Sequence, residues 1–421
     1  MATKIADFFK QNKLPLATKT LVVATSGGPD SMALLAMLNN LQDQYHLKII
    51  AAHLDHQLRP DSSAEARVIK QYCSDKQIKI FNAVWPVELH PHKGIEAAAR
   101  SFRYSFLAKV MRQEHGDYLL TAHHGDDLLE NILLKFIRSG NPSEMNSLQP
   151  VSRWQGSLLL RPLLTYSKEQ LFDYDCRKQV PFVEDTTNAA DDVLRNRLRH
   201  HVVPLLKQEN QAIGLNALRY SEQMSILTDL AARAFAAVIP PEPILGFAYR
   251  QQESALAQFS EQEQIAYWQN FIWQTWHIRV NENLAGFELL NYQKYCYIMP
   301  VKLPPVPKSE PIKLDTEFNW GTRHLVVSKT SCVSGQLLGQ FKVKPASQLI
   351  ACSLPQGAKL LLKNGQHVKS KKKFAQSGIP VVLRPYCLAL VENKQVLFVE
   401  NAYSNQEADS DAEQYYVYNI K

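Results

Sequence analysis

The 421-residue sequence contains only six cysteines, and no two of them are spaced as Cys-x-x-Cys. This scarcity excludes a disulfide-stapled scaffold, a zinc ribbon and an iron–sulfur motif, so we expect reduced thiols in a cytoplasmic protein. The sequence also lacks the run of about 18 uncharged apolar residues that a membrane helix needs. Residues 1–13 are polar and amphipathic, without the apolar segment of a secretory signal. We therefore expect no membrane association and a cytoplasmic location.

Acidic residues are absent from residues 318–391, although this stretch holds eleven Lys and Arg residues. Residues 1–300 carry 31 basic and 31 acidic residues, so the net charge of +7 comes entirely from residues 301–421. A basic surface of this kind favours a polyanion such as nucleic acid. Charge alone leaves open the alternative of a solvated basic face without a partner.

Apolar runs and helical patterns alternate over the first 200 residues. Residues 21–24, 49–52 and 118–120 predict buried strands, and residues 31–41, 64–73, 95–112 and 128–137 predict helices. Strands separated by helices predict an α/β domain with a parallel sheet that is covered on both faces. Ligands of such sheets bind beyond the carboxyl ends of the strands. The loops that follow the strands are therefore the places to look for a site.

The rest of the chain predicts two further domains. Residues 215–290 favour helix, with helices predicted at 221–237 and 261–276, and the Pro-rich residues 303–307 favour a linker. Alternating runs after the linker favour a small α+β domain. We therefore predict a parallel-sheet domain at 1–210, a helical domain at 211–302 and a basic C-terminal domain at 308–421.

The first predicted strand ends in the loop Ser-Gly-Gly-Pro-Asp-Ser, residues 26–31. Two glycines allow a tight turn that brings backbone N–H groups against an anion. Pro29 is favourable in the first turn of a helix, whose N-terminus adds partial positive charge. The loop therefore favours a phosphate or pyrophosphate cradle, although it lacks the Gly-Lys-Ser/Thr ending of a Walker loop. The alternative is an ordinary Gly-Pro turn capped by Asp30 and Ser31.

This loop resembles the S-G-G-x-D-S motif of PP-loop ATP pyrophosphatases. The match is carried by Ser26, Gly27, Gly28, Asp30 and Ser31. These enzymes cleave ATP between the α- and β-phosphates, adenylate a carbonyl-type oxygen and let a nucleophile displace AMP. The superfamily includes GMP, NAD and asparagine synthetases, tRNA thiolation enzymes and tRNA(Ile)-lysidine synthetases.

Further stretches are similar to the signatures of the tRNA(Ile)-lysidine synthetases. They are His-Leu-Asp-His-Gln-Leu-Arg at 53–59, the Glu-Ala-Ala-Ala-Arg and Arg-Tyr frames within 94–104, Thr-Ala-His-His and the following carboxylates at 121–130, Arg-Pro-Leu-Leu at 161–164, Glu184, Asp185 and Asn188, and the arginines of 195–199. The resemblance runs nearly continuously over residues 21–206, and residues 369–384 resemble the final domain of the family more weakly. Asp55 is a departure, because many relatives carry Asn there.

The resemblance implies ligation of L-lysine to the wobble cytidine of the CAU anticodon of tRNA(Ile), with ATP as substrate and Mg²⁺ as cofactor. It makes domain 1–210 catalytic and the two later domains tRNA-binding, and it includes a homodimer among the oligomeric states. The site residues it implies are Asp30, Arg103 and Asp127 for catalysis; Ser26, Gly27, Gly28, Pro29, Asp30, Ser31, His53, His56 and Arg103 for ATP; Asp30 for Mg²⁺; Asp127 and Glu130 for lysine; and Arg195, Arg197, Arg199, Lys371, Lys372 and Lys373 for tRNA.

The residues themselves leave alternatives open. Arg100 and Arg103 lie three apart on one predicted helix and could share a face toward an α-phosphate, or they could pair with surface carboxylates. Asp126, Asp127 and Glu130 lie near a helix start, where carboxylates are favourable in any protein. Two other functions compete: a tRNA thiolation enzyme, which needs a reactive cysteine or an iron–sulfur site, and a non-catalytic RNA-binding protein on a decayed fold.

Overall fold

The computed structural model describes residues 2–57, 63–183, 191, 193–330, 334–344, 347–355, 357–362, 365–405 and 411–420. The motif residues Arg59, Glu184, Asp185 and Asn188 lie outside the described residues. The chain divides into two compact units, Met1–Ala231 and Ala232–Lys421. Within the described ranges, no helix is both long and apolar enough to cross a membrane. The division at residues 211 and 308 that the sequence predicts remains a prediction.

The first unit is built on a sheet whose described strands follow the order β3-β2-β1-β4-β6-β5. The strands are β1 Thr20–Thr25, β2 Lys48–Asp55, β3 Lys79–Val84, β4 Tyr118–Leu120, β5 Val151–Trp154 and β6 Ser157–Leu160. Neighbouring strands are parallel except that β5 is antiparallel to β6. The prediction of an α/β fold with a parallel sheet is confirmed.

The first unit contains eleven described α-helices. They are α1 Ala2–Gln11, α2 Pro29–Asn39, α3 Gln42–Tyr45, α4 Ser63–Asp75, α5 Ile95–Gln113, α6 Gly125–Arg138, α7 Pro142–Met145, α8 Lys168–Lys178, α9 Leu194–Arg197, α10 Val203–Glu209 and α11 Ile213–Ala236, with a π-helical turn at Leu198–Val202. Because successive side chains of a strand point to opposite faces, Leu21 and Val23 join the core that contains α2, while Val22 packs with Leu107 of α5. Helices α2 and α5 therefore pack on opposite faces of the sheet.

Strands β3, β5 and β6 of the first unit were not predicted from the sequence, nor were helices α1 and α8. Strand β3 forms the edge of the sheet, and its residues are half-buried or exposed, so it lacks the apolar run by which β1, β2 and β4 were predicted. Strands β5 and β6 form a short hairpin in which only Leu159 and Leu160 are fully buried. Edge strands and short hairpins bury few side chains, so their sequences show only a weak hydrophobic pattern.

The second unit contains antiparallel sheets. Its strands are β7 Glu242–Ile244, β8 Ala248–Gln252, β9 Phe287–Tyr292, β10 Tyr295–Pro300, β11 Glu310–Ile312, β12 Glu317–Trp320, β13 Arg323–Ser328, β14 Gly335–Val343, β15 Leu349–Ser353, β16 Lys359–Leu361, β17 His367–Lys369, β18 Leu388–Glu392, β19 Gln395–Val399, β20 Tyr403–Ser404 and β21 Glu413–Ile420. Its helices are α12 Glu253–Leu256, α13 Glu261–Trp276 and α14 Ser370–Gln376. Helix α13 has the predicted bounds, but the sheet β7-β8-β10-β9 was not predicted.

The Pro-rich residues 303–307 form no helix or strand, as predicted. They are nevertheless attached to the unit, because Leu303 packs against its core and the carbonyl of Pro304 accepts a hydrogen bond from Tyr386 Oη at 2.8 Å. Among the three predicted tRNA-binding lysines, Lys371 and Lys372 are exposed and Lys373 is partly exposed on α14. Phe374 of the same helix is buried and anchors it.

Candidate active site

The loop between β1 and α2 is held in a tight turn by its own hydroxyl groups. Gly27 has a φ of +82°, and a Cβ there would lie 3.0 Å from Cβ of Glu65, so both backbone conformation and space favour glycine. Ser31 Oγ donates to the carbonyl of Gly28 at 3.0 Å and accepts from the backbone N–H of Ser26 at 3.2 Å. Helix α2 begins at Pro29, two residues before the predicted start, and Pro29 lies in its first turn as predicted.

A cavity of about 520 Å³ opens above this loop, at the carboxyl ends of β1, β2 and β4. Its walls also include α5 and the segment around α9. Eight of the residues that the sequence predicts for the site line it: Ser26, Asp30, Ser31, His56, Arg103, Asp127, Arg195 and Arg199. The structure thus brings together residues from five separate stretches of the chain.

The other predicted site residues do not line the cavity. Gly27, Gly28 and Pro29 form the turn itself, and His53 is buried beneath it, with Nδ1 3.0 Å from the carbonyl of Thr25. Glu130 is buried behind Asp127. Arg197 donates to the carbonyl of Asp191 at 2.7 Å. Lys371, Lys372 and Lys373 belong to the second unit, on α14.

One side of the cavity is an ion-pair network. Arg195 donates to Asp127 at 3.2 Å and to Glu130 at 3.1 Å, and Arg199 donates to the same two carboxylates at 3.1 and 2.7 Å. His124 connects the network to the loop, because its Nε2 lies 3.4 Å from Oδ2 of Asp127 and 3.6 Å from Oδ2 of Asp30. Asp126 lies at its margin, with Oδ2 4.0 Å from Nδ1 of His124, and pairs more closely with Lys207 at 2.8 Å.

The surroundings raise the pKa of one aspartate on this side of the cavity, Asp30, and lower the pKa of the other, Asp127. Burial raises the pKa of Asp30, and the charge of Asp127 adds to this effect while His124 opposes it. Burial also favours the neutral form of Asp127, but His124, His123, Arg195 and Arg199 outweigh it and lower the pKa of Asp127 to about 2. Asp127 is therefore a permanent anion at neutral pH.

The two cavity histidines are neutral at neutral pH. Burial, together with the charge of Arg103, lowers the pKa of His56 to about 4. Burial likewise lowers the pKa of His123 to about 4, and Arg161, Arg195 and Arg103 contribute. Neutral imidazoles can donate and accept one hydrogen bond each, so these histidines are able to contact a nucleotide without adding charge.

Another part of the cavity carries arginines that are not paired with acids. Arg100 and Arg103 of α5 line it, and Arg161, at the end of β6, is buried beside them. In the part of the chain that the structure describes, none of these three arginines is ion-paired with a carboxylate. Burial lowers the pKa of both Arg103 and Arg161, as expected for guanidinium groups without an acidic partner. This side is therefore prepared for an anion.

Sequence reasoning assigned no role to three residues that this geometry brings forward. Arg161 and Tyr104 occurred in quoted stretches, but nothing in a single sequence marked them as neighbours across β6 and α5. Asp175 of α8 is fully buried, and neither of its carboxylate oxygens has a hydrogen-bond partner. Burial and the nearby charge of Asp30 raise the pKa of Asp175 to about 8. Its spacing within α8 could have indicated burial, but not its proximity to the loop.

Asp30 fits a magnesium ion that substrate phosphates help to hold. Its Oδ1 atom is buried without a hydrogen-bond partner. No group of three or more His, Cys, Asp or Glu side chains is arranged around a metal position in the described ranges. Mg²⁺ usually binds through one or two carboxylates together with phosphates and water, so a site with a single carboxylate is consistent with it.

Comparisons with known proteins agree with this geometry. The model of the PP-loop domain family matches residues 1–206. A tRNA(Ile)-lysidine synthase from Lactobacillus gasseri is 44% identical over 429 residues, covering 99% of each chain, and one from Lactobacillus johnsonii is 44% identical over 431 residues with the same coverage. One from Lactiplantibacillus plantarum is 40% identical over 228 residues, which are 53% of this chain and 51% of that protein. Full-length similarity at this level shows that the chain belongs to the tRNA(Ile)-lysidine synthase family, with a PP-loop ATP-binding domain.

Proposed function

We propose that this chain is a carbon–nitrogen ligase that joins L-lysine to C2 of the wobble cytidine in the CAU anticodon of tRNA(Ile), forming lysidine. The cytosine O2 attacks the α-phosphorus of ATP and releases pyrophosphate. A lysine amine then attacks C2 and expels AMP. The observation that carries the proposal is that the loop, Arg103 and Asp127 line one and the same cavity. The proposal is also supported by two relatives that match the chain over 99% of its length and are tRNA(Ile)-lysidine synthases.

The loop and Arg103 are proposed to hold ATP. Backbone N–H groups and the Ser26 and Ser31 hydroxyls surround the place where the β- and γ-phosphates would bind. Arg103 is largely buried and has no carboxylate partner among the described residues, so it is free to bind the α-phosphate as charge accumulates there. Mg²⁺, held in part by Asp30, would neutralise charge on the departing pyrophosphate.

Asp127 and Glu130 are proposed to bind the lysine ammonium. Because the pKa of Asp127 is lowered to about 2, this residue is an anionic anchor and a poor proton acceptor. Its two carboxylate oxygens already contact Arg195, Arg199 and His124. The incoming ammonium must therefore join or displace one of these contacts, and the arginines belong to the lysine site as well as to a tRNA-facing surface.

The second unit is proposed to bind the tRNA through phosphate contacts, with Lys371, Lys372 and Lys373 among its donors. The rival thiolation chemistry has no support in the cavity. Of the cysteines that the structure describes, Cys73, Cys296 and Cys387 are buried, Cys352 is half-buried and Cys176 is exposed, and none of them lines the cavity. We retain the homodimer as part of the proposal for the assembled enzyme.

The test is incorporation of labelled lysine into a tRNA(Ile) transcript with the anticodon CAU. The purified chain, ATP and Mg²⁺ should transfer one lysine for each AMP and each pyrophosphate released. A matched transcript that carries uridine at the wobble position should accept none. Pyrophosphate release without lysine transfer, or transfer of sulfur instead of lysine, would contradict the proposal.

A further inference from the structure

The proposed chemistry assigns no role to Arg100, although this arginine lines the cavity. Its guanidinium carbon lies over the Tyr104 ring, 4.9 Å from the ring centroid and one helical turn along α5. The side chain is exposed and lines the cavity, and it has no carboxylate partner among the described residues. An arginine placed over an aromatic ring, without an acid, is able to stack its guanidinium on a further planar group.

The Tyr104 ring is itself fixed from other directions. The Trp154 ring at the end of β5 lies 5.8 Å from it, inclined by 52°, and the Arg103 guanidinium carbon lies 5.7 Å from its centroid. Tyr104 is therefore shared between Arg103, proposed for the α-phosphate, and Arg100. Any planar group that stacks on Arg100 lies about one helical turn from the phosphate site.

The positive charge around Arg100 and Tyr104 is complementary to RNA, which is a polyanion. Arg161 is 5% exposed, donates to Ser152 Oγ at 2.9 Å and to the carbonyl of Gln149 at 2.6 Å, and leaves its Nε without a partner. Its charge lies close enough to Arg100 and Tyr104 to interact with both. Arg100, Arg103 and Tyr104 thus line one part of the cavity, and Arg161 and Trp154 lie near Tyr104 without lining it. The acids that line the cavity are Asp30, Asp55, Glu65 and Asp127.

The proposed reaction requires the wobble cytosine to leave the anticodon stack and enter this cavity. We propose that its ring stacks there on the Arg100 guanidinium, which the Tyr104 ring supports. Proteins recognise single-stranded RNA bases by stacking them on aromatic rings and arginine planes, and enzymes that modify a base take it out of its stack. This inference rests on the proposed function and deepens it, because it identifies the position of the nucleophile: a base on Arg100 has its O2 edge near the phosphate held by Arg103.

The test measures the contribution of the base itself. Two full-length tRNA(Ile) molecules are compared, one with cytidine and one with an abasic wobble position, in the presence of the non-cleavable analogue α,β-methylene-ATP. The wild-type chain should bind the cytidine form roughly tenfold more tightly, as expected for one stacked base. In Arg100→Lys, which keeps the charge but loses the planar guanidinium, this ratio should fall toward one while the Kd for the ATP analogue stays unchanged. In Tyr104→Leu the ratio should fall as well.

Phe102→Leu is the matched control. Phe102 lies on the same helix but stacks on Trp85, at 5.9 Å between ring centroids, and does not line the cavity. It should keep the wild-type ratio. A ratio near one in the wild type, or a wild-type ratio in Arg100→Lys, would overturn the inference. Failure of the proposed function is distinguishable, since it would appear as absence of lysine transfer by the wild type.

Discussion

The Arg199 guanidinium bridges Asp127 and Glu130, with Nη2 3.1 Å from Oδ1 of Asp127 and Nε 2.7 Å from Oε1 of Glu130. Glu130 is 2% exposed, so its charge requires such a partner. The sequence resemblance assigns the two carboxylates to lysine and the arginine to tRNA. The structure joins them in one network, so that binding of one substrate can alter the contacts available to the other.

Asp127→Asn should raise the KM for lysine far more than the KM for ATP. The amide keeps the size of the side chain but removes the charge that is proposed to hold the ammonium. It also leaves Glu130 as the remaining carboxylate for Arg195 and Arg199. Steady-state kinetics with each substrate varied in turn provide the measurement.

Asp126→Asn is the neighbouring control for this variant. Asp126 accepts hydrogen bonds from the backbone N–H of Lys168 at 3.0 Å and from Lys207 at 2.8 Å, so its charge is used inside the fold. Its substitution should lower the melting temperature without a selective effect on the lysine KM. An unchanged lysine KM in Asp127→Asn, with a raised KM for ATP, would show that the assignment is wrong.

Asp30→Ala should abolish adenylation while leaving the fold and tRNA binding intact. Loss of a charge that acts in the transition state costs roughly 3–4 kcal/mol, which corresponds to a decrease of two to three orders of magnitude in pyrophosphate release. Asp43→Ala, at an exposed aspartate of α3, is the control and should release pyrophosphate at the wild-type rate. A similar rate in Asp30→Ala would remove Asp30 from the mechanism.

Strands β1, β2 and β4 of the first unit could be predicted because most of their residues are buried. Val22 and Leu119 are fully buried, and such strands appear in the sequence as continuous apolar runs. The loop could also be predicted, because Gly27 allows the positive φ of the tight turn and Pro29 is favourable in the first turn of a helix. In contrast, the strands of the sheet β7-β8-β10-β9 are short or carry exposed polar residues such as Glu288 and Asn291, which resemble helix surface or loop in a single sequence.

The residues that form the site could be predicted from the sequence, but the contacts between them could not. Motif residues mark which side chains matter, whereas their partners depend on how distant segments meet. Arg195 and Glu130 are 65 residues apart in sequence and 3.1 Å apart in space. Arg161 and Tyr104 are brought together only by the packing of α5 against the sheet, so the cationic side of the cavity could be recognised only in three dimensions.

Asp175→Asn should stabilise the protein at pH 8 and have little effect at pH 4. Burial and the charge of Asp30 raise the pKa of Asp175 to about 8, while the unfolded chain ionises this group near pH 4. Between these values the folded state keeps a proton that the unfolded state releases, so the free energy of unfolding falls as the pH rises. The amide removes this term, and we expect a gain of about 2 kcal/mol or more at pH 8.

Thermal unfolding at pH 4, 6 and 8 measures this effect. Asp173→Asn, at an exposed position of the same helix, is the control and should follow the wild-type dependence on pH. If Asp175→Asn and the wild type lose stability in parallel as the pH rises, Asp175 is ionised in the folded protein and the raised pKa is refuted.

Changing Lys371, Lys372 and Lys373 together to Ala should weaken tRNA binding and leave ATP and lysine binding nearly unaffected. The three side chains lie on a short helix whose buried anchors are Ser370 and Phe374, so their removal does not disturb the core. Lysines in the first turns of a helix are not favoured by its dipole, which indicates that helix stability does not explain their position.

Salt dependence distinguishes phosphate contacts from a solvated basic face. Each lost phosphate contact should make the slope of log K against log salt shallower by roughly 0.9 or slightly less, so up to three contacts would change it by about one to three units. A triple variant of Lys4, Lys10 and Lys13, on or directly after α1, removes the same charge from the first unit and is the control for net charge alone. Filter binding at several salt concentrations should give a shallower slope for the α14 variant than for this control. Equal slopes in the two variants and the wild type would leave the three lysines as a solvated surface, because a change in net charge without loss of contacts releases no additional counterions.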